Sequence, residues 1–150
     1  MYNQSLQSLL CKILNKSIID KFHNELQKNN INHTTLSIES GKHHSAFNKT
    51  FNKAEQLELS SFLRYWYAAS TITNSTVTTG AFALENFIQE EEVKILALIS
   101  STKDSSITSL DRNDIQFIKH LKFHFDFLYK NKKLTTEEIK VFNQIYSSIN

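Results

Sequence analysis

Apolar residues recur at three- and four-residue spacing through most of this chain, the periodicity that gathers them on one side of a helix. Leu6, Leu10, Ile13, Leu14, Ile18, Phe22 and Leu26 make one unbroken stripe, which predicts a helix from Ser5 to about Lys28 before the polar break Asn29-Asn30-Ile31-Asn32. Leu57, Phe62, Trp66 and Ala69 predict a second long helix from about Ala54 to Ile72. The threonine-rich stretch Thr71–Thr79 and Gly80 follow, and the boundary between two regions is placed there. Beyond it, Phe82, Leu84, Phe87, Ile88, Val93, Ile95, Leu96 and Ile99 predict a helix from Ala81 to about Ser100, with Glu90-Glu91-Glu92 on a solvated face. After the polar break Ser105–Ser109, Ser109 or Asp111 is expected to cap a helix carrying Ile115, Ile118, Leu121, Phe125 and Leu128. Phe123, Phe125, Phe127 and Tyr129 also alternate, so a strand is open there. The last helix has the plainest start signal: Thr135-x-x-Glu138 is a capping box, and Leu134 can staple onto Ile139. Its buried stripe is Ile139, Phe142, Ile145, Tyr146 and Ile149.

One stretch carries more than periodicity. Leu36-Ser37-x-x-x-Gly41-Lys42-x-x-Ser45-x-Phe47 sets an apolar residue and a small one on one helix. Gly41 stands where the chain must reverse with a left-handed backbone, and Phe47 can plug the next helix onto the previous one. With Ile18, Phe22 and Leu26 upstream and Leu57, Leu59, Phe62 and Leu63 downstream, residues 18–69 resemble the lambda-repressor-like (Cro/Xre) helix-turn-helix family. The sequence departs from that pattern at His33, where a glutamine that touches the DNA backbone is usual, and at Ser37, where alanine is commoner. The resemblance implies sequence-specific binding of double-stranded DNA and work as a transcriptional regulator. It implies that His44, Ser45, Asn48 and Lys49 face base edges, with Lys42, His43 and Lys53 toward phosphates. Asn48 could then read adenine and Lys49 guanine.

Composition narrows the fold class. A chain of 150 residues with no proline and two glycines argues for helices joined by Asn-, Ser- and Thr-rich turns, so an all-α protein is expected. The expected organisation is residues 1–73, a helical arm plus helix-turn-helix unit, and residues 80–150, a helical region for dimerisation or partner contact. The first half of the long amino-terminal helix exceeds what a tri-helical unit needs and must pack on the carboxyl half or on a second copy. A lone Cys11 excludes an internal disulfide, and no apolar run approaches the roughly 20 residues of a membrane span. No basic segment followed by an apolar signal stretch opens the chain, so a cytoplasmic protein is expected.

Charge adds a direction. Residues 1–75 carry 8 basic and 5 acidic side chains, and residues 76–150 carry 9 and 10. Between Ser40 and Ala54 there is no acidic residue, while Lys42, Lys49, Lys53, His43 and His44 fall there. A phosphate-facing surface requires such a window. Lysine outnumbers arginine 15 to 2, so part of this density is a general lysine bias.

Sites for catalysis are not found, and no enzymatic activity, metal or organic cofactor is expected. His120 and His124 are four apart on a predicted helix, a spacing that can serve a metal, but no carboxylate completes a metal-site motif. Cys11, beside the apolar stripe, reads as a small packing residue. Apolar residues between Ile115 and Tyr129 cover more than one helical face. Phe117, Phe123 and Phe127 are therefore expected at a homodimer or partner interface, with a helix central to the monomer as the equal alternative. A second functional reading is a small helical protein-binding inhibitor or immunity-type protein that binds no DNA.

Overall fold

The computed structural model describes residues 2–43, 45–52, 58–102 and 113–147. It is all-helical, with seven α-helices and no strand among the described residues: α1 (Tyr2–Lys28), α2 (His33–Glu39), α3 (Ala46–Asn52), α4 (Leu59–Thr73), α5 (Glu90–Ser101), α6 (Ile115–Lys130) and α7 (Thr136–Ser147). None of these helices is long and apolar enough to cross a membrane. The alternating aromatic stretch of residues 123–129 lies within α6, so the strand alternative is set aside. His44, Lys53, Leu57, Ser109, Asp111 and Ile149 lie outside the described residues.

Four helices end in the same way. The residue in the left-handed region is Asn30 after α1, Gly41 after α2, Asn74 after α4 and Lys132 after α6, with φ of 57°, 78°, 54° and 57°. Each is followed by a residue whose N–H returns to a carbonyl five positions back: Ile31 to Leu26, Lys42 to Ser37, Ser75 to Ser70 and Lys133 to Leu128, at 2.8–2.9 Å. This is the Schellman arrangement, which satisfies carbonyls the helix leaves open. Asparagine supplies two of the four turns because glycine is so scarce and Asn tolerates this conformation. At Gly41 an added Cβ would meet nothing within 4 Å, whereas at Gly80 (φ +88°) it would lie 2.7 Å from Ser75 Oγ and 3.0 Å from Ser75 Cα. Gly41→Ala should therefore cost about 1–2 kcal/mol from backbone strain alone. Gly80→Ala should cost more, and urea denaturation of the two variants orders them.

The chain divides into two compact units, one of Met1–Ser17 with Glu90–Asn150 and one of Ile18–Gln89. The expected division at the threonine-rich stretch differs from this, because that stretch and the residues after it belong to the second unit. Phe82 and Phe87 are fully buried in its core, and Trp66 Nε1 donates to the Phe82 carbonyl at 2.7 Å. Asn86 Nδ2 donates to the Ala81 carbonyl at 2.7 Å. With those backbone groups taken by side chains, residues 81–89 form turns and a short 3-10 segment (Leu84–Asn86), and the helix expected from Ala81 starts only at Glu90.

In the first unit, Leu6, Leu9, Leu10 and Ile13 of α1 pack with Ile95 of α5, with Phe117, Ile118, Leu121, Phe125 and Leu128 of α6, and with Val141, Phe142 and Ile145 of α7. The surplus amino-terminal arm thus packs on the carboxyl half of the same chain. Phe125 and Phe142 stack with ring centroids 3.9 Å apart. The capping box of α7 forms as its spacing requires: Thr135 N–H donates to Glu138 Oε1 at 2.8 Å, and Glu138 N–H to Thr135 Oγ1 at 3.1 Å. Leu134 and Ile139 both pack against this core. The cap of α6 is Asp114, whose carboxylate accepts from Phe117 N–H. Cys11 is exposed and does not pack into the core as expected.

In the second unit, Phe22 is the hub. Its ring meets those of Phe47, Phe62, Phe82 and Phe87 edge-on at 5.4–5.9 Å. Such edge-to-face contacts add to the area term of burying the rings.

Candidate nucleic-acid interface

The α2–α3 pair is assembled from the residues that the sequence singled out. Asn32 caps α2 by accepting from Thr35 N–H at 2.7 Å. Leu36 and Ser37 are both fully buried. Ser37 has no bulk to hold α3 away, and its Oγ serves both helices: it donates to the His33 carbonyl at 2.8 Å and accepts from Phe47 N–H at 3.1 Å. Phe47, fully buried, sets its ring edge-on against Phe22 and, at 5.0 Å, Tyr65. Gly41 supplies the reversal between the helices, so α3 is seated by Ser37 and Phe47 and keeps its other side outward.

On that outward side Asn48 and Lys49 are exposed, as is His43 in the connection before α3. His43 and Ser45 engage each other: Nδ1 of His43 lies 2.9 Å from Ser45 Oγ and accepts from Ser45 N–H at 3.3 Å. Ser45 is half-buried, and its carbonyl accepts from Lys49 N–H at 3.0 Å, so these two residues also build the start of α3. Lys42 is half-buried, with Nζ 3.3 Å from Ser61 Oγ and 5.7 Å from the Tyr65 ring centroid. Its ammonium is therefore directed along α4 instead of straight outward. Asn48 Oδ1 lies 3.0 Å from Nδ1 of His33.

The same unit shows a second surface. Leu59, Leu63 and Tyr67, one turn apart along α4, are 72%, 50% and 69% exposed. A cleft of about 320 Å³ lined by Glu39, Ser40, Leu63, Arg64 and Tyr67 adjoins them.

In the first unit the three phenylalanines expected at an interface separate. Phe117 is a core residue, 8% exposed, and is removed from that set because it faces the other helices of its own unit. Phe127 is half-buried, with the Lys16 ammonium 4.2 Å from its ring centroid. Phe123 alone stands out, at 65% exposure.

Glu92 overturns the expectation of a solvated acidic triplet. It is fully buried and accepts from Ser17 Oγ, which also lies 2.9 Å from His120 Nε2. No pattern in the sequence marks Glu92 apart from Glu90 and Glu91. A serine between a carboxylate and an imidazole reverses the order that activates a nucleophile, where the imidazole is the middle member. Ser17 is also closed to solvent. The group ties α1, α5 and α6 together within the unit. His120 and His124 sit with ring centroids 4.6 Å apart, and no group of three His, Cys, Asp or Glu side chains among the described residues is arranged to hold a metal ion.

Comparison with protein families, with curated proteins and with solved structures gives no match to the chain.

Proposed function

We propose that the protein binds double-stranded DNA in a sequence-specific way and regulates transcription in the cytoplasm, with α2 and α3 as its helix-turn-helix and α3 in the major groove. The observation that carries this reading is the outward side of α3. Exposed Asn48 and Lys49 stand in an acid-free window of the chain, on a helix held from behind by Ser37 and Phe47. Asparagine and lysine are side chains that read adenine and guanine edges, and the exposed cation supplies affinity through counterion release. His43 and Ser45 adjoin this side, Lys42, His44 and Lys53 are assigned to DNA binding by the resemblance, and no metal, cofactor or catalytic step is needed. A homodimer reading two half-sites would double the contacts, and Phe123 is the most exposed of the three phenylalanines expected at such an interface.

Titration of the protein with duplex DNA from its own upstream region, at several salt concentrations, tests the proposal. Each phosphate contact should add about −0.9 to the log–log slope of affinity against salt. A slope near zero would refute DNA binding.

The exposed stripe Leu59, Leu63 and Tyr67 favours a second reading, a helical inhibitor or immunity-type protein that binds a foreign protein. Under that reading the wild type shows no salt-dependent binding of duplex DNA, and substituting Leu63 and Tyr67 with aspartate abolishes binding of the protein partner.

A further inference from the structure

Of the four left-handed residues that end helices, three are of the types that adopt this conformation at least cost: Asn30, Gly41 and Asn74. The fourth, after α6, is Lys132 at φ 57°, although Asn131 stands one position earlier. A lysine there strains the backbone more than an asparagine would. A conformation kept at such a cost points to work done by the side chain.

The surroundings of Lys132 indicate what that work is. Lys130, Lys132 and Lys133 are all exposed, and none of them forms an ion pair among the described residues. Neighbouring acids do not neutralise them: Glu138 is taken by Lys12 and Asp126 by Lys122, which leaves three cations against the exposed Glu137. The helix dipole accounts for Lys130, in the last turn of α6, but Lys132 and Lys133 lie beyond that turn. The backbone that carries them is tied down. Asn131 N–H and Nδ2 both donate to the Phe127 carbonyl, Lys132 N–H to that of Tyr129 and Lys133 N–H to that of Leu128. The Lys133 carbonyl in turn accepts from Lys12 Nζ at 2.9 Å. Three cations are thus presented on a fixed turn, within at most about 10 Å of chain.

Charge alone suits several partners, and the apolar residues decide between them. A membrane surface or a protein interface asks for apolar side chains among the cations. Between Tyr129 and Glu137 the only aliphatic side chain is Leu134, which packs against the core of its own unit. Tyr129, 55% exposed, and the exposed Thr135 and Thr136 offer hydroxyls instead. Lysine, tyrosine and threonine are side chains that contact phosphates, and duplex DNA carries one phosphate per roughly 3.4 Å of each strand.

We propose that the turn Lys130–Lys133 is a phosphate-binding element: it contacts the backbone of duplex DNA and adds affinity without sequence preference, whichever bases α3 reads. This inference rests on the DNA-binding reading and gives a part to the unit that reading leaves unused.

The test uses the full chain, the duplex that the wild type selects from a random pool, and a random duplex, each titrated at several salt concentrations. Lys130→Gln with Lys133→Gln should weaken binding to both duplexes alike, by about tenfold at about 0.1 M salt, and make the log–log slope shallower by up to about 1.8, twice the roughly 0.9 of one phosphate contact. The ratio of the two affinities should not move. Lys119→Gln with Lys140→Gln removes the same charge from exposed lysines of α6 and α7 outside the turn, and should weaken binding by less than about twofold. Lys132→Asn separates charge from fold. It should raise the thermal midpoint by roughly 2–4 °C as strain is relieved, and still weaken binding to both duplexes by about threefold. A wild type that binds duplex, with the three lysines of the turn changed at no loss or with the two double variants weakened equally, would overturn this inference alone. Loss confined to binding of phosphatidylserine vesicles would overturn it in favour of a membrane surface. A wild type that binds no duplex would overturn the DNA reading and the inference with it.

Discussion

Replacing Phe47 with alanine should destabilise the protein by about 3–5 kcal/mol, the usual loss when a sealed aromatic is cut back to a methyl group. Its ring is fully buried and meets those of Phe22, His33 and Tyr65. The cavity would open between the rings of Phe22, His33 and Tyr65, on α1, α2 and α4. A whole domain is stable by only about 5–15 kcal/mol, so such a loss removes a large part of the total. Phe123→Ala, at a position 65% exposed, should change stability by less than about 0.5 kcal/mol. Urea denaturation of the two variants makes the comparison, and a Phe47→Ala cost under 1 kcal/mol would contradict the packing described. Because Phe47 also seats α3, the variant should lose whatever α3 binds.

Glu138→Ala should have an effect of similar size, roughly 3 kcal/mol or more, because it breaks a buried charge pair and a helix cap together. The Glu138 side chain is 2% exposed, and its Oε1 takes the Lys12 ammonium at 2.7 Å. The same oxygen accepts from Thr135 N–H at 2.8 Å, and Oε2 from Ser8 Oγ at 2.7 Å. Burial pushes this carboxyl's pKa up, but the hydrogen bonds from Lys12, Thr135 and Ser8 outweigh it and hold the group below the ordinary carboxylate range. The sign follows from that direction. A carboxyl depressed in the folded state stabilises fully above its unfolded value, about 4.3, and the contribution is lost as pH falls through the folded value. Wild-type stability should therefore drop on acidification below about pH 4, and Glu138→Gln, which has no charge to lose, should show a shallower acid limb. Thermal melts of both proteins between pH 2.5 and pH 7, in steps of about half a unit, check it; parallel curves would remove Glu138 from the account of acid sensitivity.

What could be read from the sequence follows how local each signal is. The stripe of α1, the capping box of α7 and the Leu36–Ser37–Gly41–Phe47 spacing depend on residues within a few turns of one another, and those elements form where the pattern puts them. Residues 81–89 were misleading because Leu84, Phe87 and Ile88 have the spacing of a helical stripe. The burial of Phe82 and Phe87 is served by an irregular backbone whose carbonyls accept from Trp66, 16 positions away, and from Asn86 within the segment. Glu92 was illegible for a similar reason: Ser17, which partners it, lies 75 positions away. Phe117, Phe123 and Phe127 are the same residue on one helix, and only the neighbouring helices decide that the first is core and the second is surface. On the proposed interface the candidates were legible as residue types, but the inward turn of Lys42 and the contact of His33 with Asn48 depend on α4 and α2.

The first unit is split along the chain, and this has a consequence for how the protein is made. When a ribosome has added Gln89, every residue of the second unit exists, whereas Leu6, Leu9, Leu10 and Ile13 still lack all their partners from α5, α6 and α7. Those partners arrive only as the chain grows on from Ile95 to Ile145. At roughly 5–20 residues per second the apolar stripe waits several seconds in the open, the kind of surface that chaperones hold and that aggregates when they do not.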